Sequence, residues 1–212
     1  MVVDLETGGF DRHKNPLLEI GCTFLNWADD TLALGDSFSW NIEPFPDSEI
    51  DPASLKITGI DLNDPDRDAF VEKDALQEFF KIVRQQLKQV NCTRAVMVAH
   101  NAAFDQAFLL SAIERTGIKR SPFHPFTTID TASLAAVAYG HTVLSEACRR
   151  AGIEFQNANA HRAAYDAEQT AQLFCKIVNT WPYEVSDQEK PGQENANPDL
   201  ERIDESEDGV SA

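Results

Sequence analysis

Short apolar segments near the amino end of the chain are typical of β-strands. Val2–Thr7 begins with apolar residues and ends in polar ones, and residues 17–27 are largely apolar. In residues 37–42, apolar and polar side chains alternate. Short apolar runs and alternation with a period of two both predict strands. We therefore expect three strands arranged as an antiparallel meander.

Farther along the chain, most apolar residues recur at helical spacing. Residues 74–90 place apolar side chains three or four positions apart, which predicts an amphipathic helix. A short apolar strand is predicted at residues 95–99, followed by a helix at residues 103–116 that ends before Gly117. The pattern further predicts a strand at residues 127–129 and helices at residues 52–59, 131–139, 143–151 and 163–178.

The composition changes after Pro182, where acidic, amide, proline and serine residues replace most apolar ones. Such a segment buries too little apolar surface to offset the chain entropy lost on folding. We therefore predict one folded domain at residues 1–183 and a disordered acidic tail at residues 184–212. We interpret the tail as a solubilising appendage; the alternative is a segment that competes with nucleic acid for a basic surface.

The net charge of −17 is unfavourable for binding nucleic acid, but residues 184–212 contribute −8 of it and leave −9 for the rest. A metal site built of carboxylates would supply part of that remainder, and bound cations reverse its local sign. The charge therefore leaves a nucleic-acid partner open.

Cysteine spacing and hydropathy bear on the compartment. The four cysteines are widely separated and form no Cys-x-x-Cys motif, which predicts reduced thiols. No apolar run approaches the length of a membrane span, and no signal-peptide pattern opens the chain. We expect a cytoplasmic protein with no membrane partner.

Two carboxylates end the first predicted strand. Asp4 and Glu6 are two positions apart, so their side chains lie on one face of the strand. In open α/β sheets the carboxyl ends of strands carry the ligand site. Adjacent carboxylates repel each other unless a proton or cation lies between them, and hard divalent cations prefer such ligands. The alternative is a solvated turn, because two glycines follow closely.

Two further acidic positions follow the same logic. Asp105 lies in the first turn of a helix that directly follows the strand at residues 95–99. A helix dipole favours a carboxylate there, so helix capping is the alternative. His161 precedes the last predicted helix and Asp166 lies inside it. A lone histidine in that position is more often a surface or capping residue.

Taken together, the order Asp-x-Glu, Asn-x-x-x-Asp and His-x-x-x-x-Asp resembles the DEDDh family of 3′→5′ exonucleases. Three longer blocks resemble the ribonuclease T family within it: GIDLNDPDR at residues 59–67, HNAAFD at residues 100–105 and PFHPFTTIDTA at residues 122–132. The resemblance implies an α/β, ribonuclease H-like fold, in which a mixed sheet is flanked by helices.

The resemblance also implies a catalytic centre. Two Mg²⁺ ions, with Mn²⁺ as a substitute, would be held by Asp4, Glu6, Asp105 and Asp166, and Asp4 is the candidate to bridge them. Two such ions clamp the attacking water and the leaving oxygen of a phosphodiester. His161 belongs to the same metal-site set and would act as general base, because imidazole titrates near neutral pH.

Substrate contacts are implied in the same way. Phe10, Phe104 and Phe126 would stack on bases of a single strand, although most phenylalanines in any chain belong to the core. Ile57 and Ala53 stand where the family has phenylalanine and glutamate, so recognition of the 3′ end is expected to differ. The family implies a homodimer in which a basic patch of one subunit guides RNA into the partner's site. Candidate patch residues, for which a solvated charged face is the alternative, are Lys88, Arg94, Lys119 and Arg120.

The family carries additional residues, some of them basic, before the first strand. We therefore expect the first strand to be truncated at its amino end and to lose part of its pairing. The acidic tail also exceeds that of the family.

The preferred function is a metal-dependent 3′→5′ exoribonuclease that trims the 3′ ends of tRNA and other stable RNAs and releases nucleoside 5′-monophosphates. The first alternative is a DNA-directed proofreading-type exonuclease. The second is a non-catalytic RNA-binding protein on the same fold, against which all five signature residues are present. Acyl-transfer hydrolysis is disfavoured because the chain contains no Gly-x-Ser-x-Gly turn.

Overall fold

The computed structural model describes residues 1–181, so the predicted acidic tail at residues 184–212 and the end of the predicted domain lie outside the described residues. Within residues 1–181 the strands are β1 (Val2–Thr7), β2 (Leu17–Ala28), β3 (Thr31–Asn41), β4 (Ala95–Ala99) and β5 (Phe123–Asp130). The helices are α1 (Pro52–Thr58), α2 (Glu72–Gln89), α3 (Ala102–Thr116), α4 (Thr131–Tyr139), α5 (Leu144–Arg150) and α6 (Ala163–Thr180), and a 3-10 turn lies at Asn157–Asn159.

The five strands form one mixed sheet in the order β3-β2-β1-β4-β5. β1, β2 and β3 are antiparallel neighbours, whereas β4 runs parallel to β1 and β5 runs parallel to β4. The predicted meander and the α/β architecture are confirmed. Because β1 is the central strand, its carboxyl end lies between the antiparallel and the parallel half of the sheet.

The third strand is longer than the prediction of residues 37–42. It begins at Thr31, directly after a two-residue hairpin turn formed by Asp29 and Asp30. Both turn residues have left-handed φ values, 48° and 63°. Two-residue hairpins need such values and usually obtain them from asparagine or glycine. The turn was missed because a pair of aspartates is a weaker signal for it.

The fifth strand is also longer than the prediction of residues 127–129. β5 pairs with β4 at Ala95↔Phe123 and again at Met97↔Thr128, and the register shifts between these pairs. The extra residues bulge out of the strand, and His124 Nδ1 accepts hydrogen bonds from the backbone N–H groups of Phe126 and Thr127. The first part of the strand was not predicted because Pro125 lies inside this bulge. Proline is typical of bulges and edges rather than of regular strands.

Helices cover both faces of the sheet, and β1 divides its side chains between them. Val3 and Leu5 are buried in the core formed with α2 and α3. Val2 lies in a separate core on the opposite face, together with residues of α6. Since side chains alternate along a strand, Asp4 and Glu6 share the face of Val2 and are directed towards α6.

A glycine lets α6 approach the sheet closely. Gly21 pairs with Asp4 in the β1–β2 ladder. A Cβ atom at Gly21 would overlap the backbone carbonyl of Ala163, the first residue of α6. The start of α6 is therefore packed against the backbone of β2, one strand away from Asp4.

β1 is paired along its whole length with β2, from Val2↔Thr23 to Thr7↔Leu17. Its pairing with β4 is short, at Val2↔Val98, and the amino group of Met1 donates to the carbonyl of Val96 at 3.2 Å. β2 continues to Ala28, beyond the Thr23 position that pairs with Val2, so the truncation of the first strand stays a prediction. In the part of the chain that the structure describes, no helix is long and apolar enough to cross a membrane.

Candidate active site

Four carboxylates from three elements converge at the carboxyl end of β1. Asp4 and Glu6 come from β1, Asp105 lies in the first turn of α3, and Asp166 lies in the first turn of α6. Glu6, Asp105 and Asp166 are buried, and Asp4 is half-buried. The structure therefore brings together the acidic residues that the sequence indicated from three separate motifs.

Asp105 is held in place by the backbone of β1. Its Oδ1 accepts a hydrogen bond of 3.0 Å from the N–H of Leu5, the residue between Asp4 and Glu6. β4 ends at Ala99 and pairs with β1 only near Val2, so it offers no carbonyl at Leu5. The carboxylate of Asp105 therefore takes the position that a neighbouring strand would occupy in the ladder.

His161 joins two of the carboxylates. One potential ligand atom each from Glu6, His161 and Asp166 lies within 4.8 Å of the others. The backbone N–H of His161 donates to Asp166 Oδ2 at 2.8 Å. His161 has a left-handed φ of 64°, and backbone strain of this kind is often found at functional sites. It is exposed, whereas Glu6 and Asp166 are buried, so it forms the solvent side of the cluster.

The carboxylates raise one another's pKa. Burial raises the pKa of Asp4 well above its usual range, and repulsion from Asp105, Glu6 and Asp166 adds to this. Burial, followed by repulsion from Asp166, raises the pKa of Glu6 to about 8. Burial also raises the pKa of Asp105 to about 8, although the N–H of Leu5 opposes the shift. The ionised cluster needs protons or cations to be stable.

The donor set fits divalent metal ions. Asp166 Oδ1 is buried and has no hydrogen-bond partner within the described residues, so it is available as a ligand. Asp4, Glu6 and Asp105 supply further carboxylate oxygens, the donors that hard cations prefer. Asp4 and Asp105 lie outside the tight group formed by Glu6, His161 and Asp166.

Comparison with known proteins agrees with this geometry. A family model described as an exonuclease and named RNase_T matches residues 1–174. Ribonuclease T of Hahella chejuensis is 52% identical over 182 residues, which cover 85% of this chain and 84% of that protein. Ribonuclease T of Escherichia coli strain K12 is 49% identical over 182 residues, which cover 85% of each chain. The chain belongs to the ribonuclease T family.

Solved structures show the same fold at low sequence identity. The nuclease domain of 3′hExo, described as a DEDDh family member bound to rAMP, is 18% identical with a TM-score of 0.66, over 84% of this chain and 90% of that one. Escherichia coli exonuclease I in complex with a dT13 oligonucleotide is 17% identical with a TM-score of 0.61, over 84% of this chain and 40% of that one. The ribonuclease H-like fold of DEDDh exonucleases is therefore confirmed.

Family membership makes the chain a hydrolase, a 3′→5′ exonuclease that depends on divalent metal ions. The alternative of a non-catalytic binding protein is therefore wrong.

Sequence reasoning missed Asp130 as part of the site's support. Asp130 Oδ1 accepts from the backbone N–H groups of Asn101 at 2.8 Å and Ala102 at 3.3 Å, at the start of α3. Its Oδ2 accepts from the N–H of Ser133 at 3.1 Å and from the Ser133 hydroxyl. One carboxylate therefore caps both α3, which carries Asp105, and α4. The block at residues 122–132 contained this residue, but its partner lies on another element.

Glu19 was missed as well. It pairs directly with Glu6 in the β1–β2 ladder. Burial raises the pKa of Glu19, while the backbone N–H groups of Ala163 and Ala164 at the start of α6, and the charge of Arg162, oppose the shift. Glu19 thus lies between β2 and the helix that carries Asp166. A single glutamate within an apolar strand was the available signal.

Aromatic side chains border the acidic cluster. Phe10 follows the turn after β1 and is 79% exposed. Its ring lies edge-on to that of Phe104 with centroids 6.2 Å apart, and Phe104 lies 4.8 Å from the buried Phe108. Two of the three predicted stacking residues are therefore brought together beside Asp105, and Phe104 also packs against the core.

The other predicted substrate residues lie on separate elements. Ile57 is 54% exposed on α1, a helix whose preceding residue Asp51 donates its N–H to the carbonyl of Gly8. Phe126 is 88% exposed at the bulge of β5, and its ring lies 6.3 Å from His124. Both are accessible to a ligand, and within the described residues the ring of Phe126 is not in contact with that of Phe10 or Phe104.

The four predicted basic residues are exposed at the end of the molecule opposite to the carboxylates. Arg94 directly precedes β4, whereas the active-site turn directly follows β4. Arg94 donates to the carbonyl of Ser121, and Arg84 donates to the carbonyl of Arg120. Arg84 therefore joins the patch, a residue that the sequence did not indicate because it lies on α2. The exposed members of this amino-end basic patch are Arg84, Lys88, Arg94, Lys119 and Arg120.

We predict that the metal-free protein loses stability as the pH rises. The folded protein retains a proton on Glu6 up to a pKa of about 8, whereas the unfolded chain releases it near 4.5. Between these values the folded state binds more protons, so the free energy of unfolding falls with rising pH. Thermal unfolding in EDTA should give a lower Tm at pH 8 than at pH 5, and Glu6→Gln should flatten the slope. A Tm independent of pH would contradict the buried carboxylate cluster.

We also predict that Asp130→Ala lowers stability by about 1–2 kcal/mol, the cost of a lost helix cap. It should also weaken the Mg²⁺-induced rise in Tm, because the start of α3 no longer holds Asp105. Asp130→Asn keeps one acceptor oxygen for Asn101 and Ala102 and should retain most of that rise. Ser133→Ala removes contacts on the α4 side only and is the matched control. An unchanged Mg²⁺ effect in a folded Asp130→Ala protein would show that Asp130 does not support the site.

Proposed function

We propose that the chain is a two-metal 3′→5′ exoribonuclease that trims the 3′ ends of tRNA and other stable RNAs. The observation that carries this proposal is the convergence of four carboxylates and His161 from β1, α3 and α6 at one sheet edge. Mg²⁺ is the proposed ion, because it is held by few carboxylates and completes its shell with phosphate oxygens and water. Mn²⁺ is expected to substitute.

Each side chain has a distinct task in this proposal. Asp4, Glu6, Asp105 and Asp166 would hold the ions. Bound divalent ions supply Lewis-acid polarisation of the phosphate and a more acidic water. His161 accepts the proton of the attacking water at a ring nitrogen, for which its exposed position beside Glu6 and Asp166 is suitable.

The reaction balances as a hydrolysis. The water oxygen bonds to the phosphorus of the last internucleotide linkage, and the bond from phosphorus to the 3′ oxygen of the shortened strand breaks. The products are a nucleoside 5′-monophosphate and a strand with a new 3′ hydroxyl. The leaving 3′ oxygen takes up a proton, so the strand is ready for the next cycle.

RNA is the favoured substrate because relatives with about 50% sequence identity are named ribonuclease T. Phe10 and Phe104 present aromatic surface beside Asp105, and stacking on such surface suits single strands. Ile57 and Phe126 are proposed to contact further bases from α1 and from the bulge of β5. Since Ile57 cannot stack as phenylalanine does, we expect weaker discrimination between 3′-terminal bases.

A homodimer is proposed to complete the RNA path. β4 has five residues, so it separates Arg94 from the active-site turn by roughly 17 Å. In a two-fold dimer the same surface of each subunit contacts the other, so the amino-end basic patch of one subunit can lie beside the partner's active site. The excess of positive charge there would attract RNA to an otherwise acidic chain.

We propose a cytoplasmic location for the enzyme. All four cysteines have free thiols, and three of them are buried. Reduced thiols are typical of the cytosol, where tRNA is processed.

The first experiment is digestion of a 5′-labelled single-stranded RNA by the full chain with Mg²⁺. The wild type should give a ladder that shortens by one nucleotide at a time from the 3′ end and disappears in EDTA. Asp105→Asn should remain folded and lose at least about two orders of magnitude in rate, because a metal carboxylate is gone. A fully active Asp105→Asn protein would exclude the proposed metal site.

Substrate class is tested in the same assay. A tRNA with an extended 3′ end should be trimmed faster than a DNA strand of the same sequence. Faster digestion of DNA would favour the proofreading-type alternative. Release of nucleoside 3′-monophosphates would contradict the proposed bond cleavage.

The dimer is tested by complementation between two inactive proteins. Arg94→Glu combined with Arg120→Glu should impair RNA capture, and Asp105→Asn should abolish hydrolysis. In a mixed dimer, the intact patch of the Asp105→Asn subunit would serve the intact site of its partner, so mixing should restore part of the activity. If the patch serves its own subunit, mixing restores nothing. Lys81→Glu, a residue paired with Glu78, is the control charge reversal.

A further inference from the structure

A cavity of about 660 Å³ lies between the loop that follows β1 and one face of α3. Its volume falls within the range of about 300–1,000 Å³ that is typical of small-ligand pockets. The loop wall carries an aromatic residue and two basic residues, and the helix wall carries aromatic and small residues. The lining side chains that matter here are Phe10, Arg12, His13, Phe104, Ala107 and Phe108.

The loop contacts α3 at both ends of the cavity. At the end near the carboxylates, the ring of Phe10 lies 6.2 Å from that of Phe104, which is adjacent to Asp105. At the other end, His13 Nδ1 lies 3.4 Å from the hydroxyl oxygen of Ser111. Phe104 and Ser111 are seven residues apart on α3, which corresponds to about 10 Å. The cavity therefore leads away from the active site along two turns of the helix.

The loop is held in a fixed conformation by its own hydrogen bonds. Asn15 Oδ1 accepts from the N–H of Asp11 at 2.7 Å, and Asn15 Nδ2 donates to the carbonyl of Glu49 at 2.7 Å. Asp11 Oδ1 accepts from the N–H of His13 at 3.0 Å. Asp11 also lines the cavity, but its carboxylate is engaged in the turn. The backbone around Arg12 is thus ordered before a ligand binds.

Arg12 is available for a ligand. It is exposed, and in residues 1–181 it takes part in no ion pair and no side-chain hydrogen bond. Its neighbour Lys14 differs, because its Nζ lies 3.9 Å from a carboxylate oxygen of Glu49. An uncompensated guanidinium beside a strongly acidic centre provides a local site of positive charge. A guanidinium is well suited to pairing with phosphate through parallel hydrogen bonds.

We propose that this cavity binds the RNA strand on the 5′ side of the bond that is cleaved, with the Arg12 guanidinium on a backbone phosphate. The inference rests on the proposed exoribonuclease function and adds a subsite to it. Aromatic surface for bases combined with a cation for the backbone is how single-stranded nucleic acid is held without sequence readout. His13 supports the far wall: its Nδ1 faces Ser111, so Nε2 lies on the other side of the ring and can donate to the same strand.

The direction of the RNA strand agrees with its proposed position in the cavity. The last phosphodiester must lie at the carboxylates, and the strand extends from there towards its 5′ end. The cavity begins beside Asp105 and extends along α3, so it offers a route for the next nucleotide. A subsite predicts that the effect of Arg12 depends on whether the substrate carries a phosphate on the 5′ side of the bond that is cleaved.

The test measures binding separately from hydrolysis. Fluorescence anisotropy of a labelled single-stranded RNA is recorded with the full chain in EDTA, from 50 to 200 mM salt. Each phosphate contact contributes about 0.7 to the slope of log affinity against log salt for single strands. Arg12→Ala should therefore give a slope about 0.7 less steep, which makes the loss of affinity over this salt range about 2.6-fold smaller than in the wild type. Arg12→Lys should keep the wild-type slope, and Lys14→Ala is the matched control.

Hydrolysis of short substrates locates the contact. A dinucleoside monophosphate contains only the phosphate that is cleaved, whereas a tetranucleotide has phosphates on its 5′ side. With Mg²⁺, Arg12→Ala should raise KM for the tetranucleotide, leave kcat unchanged and leave both constants unchanged for the dinucleoside. An equal effect on both substrates would place Arg12 at the reacting phosphate and overturn the proposal. A wild-type salt slope in Arg12→Ala would also overturn it.

The two proposals fail in different ways. A wild type that binds RNA with the expected Arg12-dependent slope, yet digests none, would retain the subsite and exclude the exonuclease. A wild type that digests RNA with no Arg12 dependence would retain the exonuclease and exclude the subsite. His13→Ala provides a second variant, which should raise KM for the tetranucleotide alone.

Discussion

The mutual repulsion of four carboxylates at the carboxyl end of β1 is the constraint on which the rest of this structure depends. Burial and neighbouring charge raise the pKa of Asp4, Glu6 and Asp105, so the arrangement is unfavourable without protons or cations. The fold must therefore hold these groups in place through interactions other than those among the carboxylates themselves. Backbone contacts supply this restraint: Leu5 N–H holds Asp105, and His161 N–H holds Asp166.

Two further acidic residues, Asp130 and Glu19, stabilise the helices that carry the site. Each lies on the sheet beside the start of a helix, where free backbone N–H groups need acceptors. Asp130 binds the first N–H groups of α3, and Glu19 faces those of α6. Because Asp130 and Glu19 bind these N–H groups, Asp105 and Asp166 need not cap the helices themselves, and their oxygen atoms that face the centre remain available. The close approach of α6 requires glycine at position 21, so packing and electrostatics act at the same point.

The acidic cluster could be predicted from the sequence because its signals are local. Asp4 and Glu6 share a face through the two-residue period of a strand, and Asp105 and Asp166 begin helices. Asp130 and Glu19 could not be predicted, since the starts of α3 and α6, which they contact, lie 28 residues away or more and only the folded chain brings them together. The hairpin at Asp29 and the bulge at Pro125 were missed for a related reason: tertiary pairing overrides a weak turn signal there.

Acidic and basic residues lie at opposite ends of the parallel strands in this molecule. The carboxyl ends of β1 and β4 gather acidic residues, while the amino end of β4 and the segment before β5 gather Arg94, Lys119 and Arg120. A single strand of RNA cannot be held by the acidic end alone, because cations are needed there to offset repulsion between carboxylates and phosphates. Positive charge must therefore come from outside the centre. In the proposed subsite, Arg12 would supply it within the subunit, beside α3, and in the proposed homodimer the amino-end basic patch would supply it to the partner's site. Under these proposals, the contact with Arg12 would set the register of the RNA strand, and the amino-end basic patch would set how readily the strand is captured.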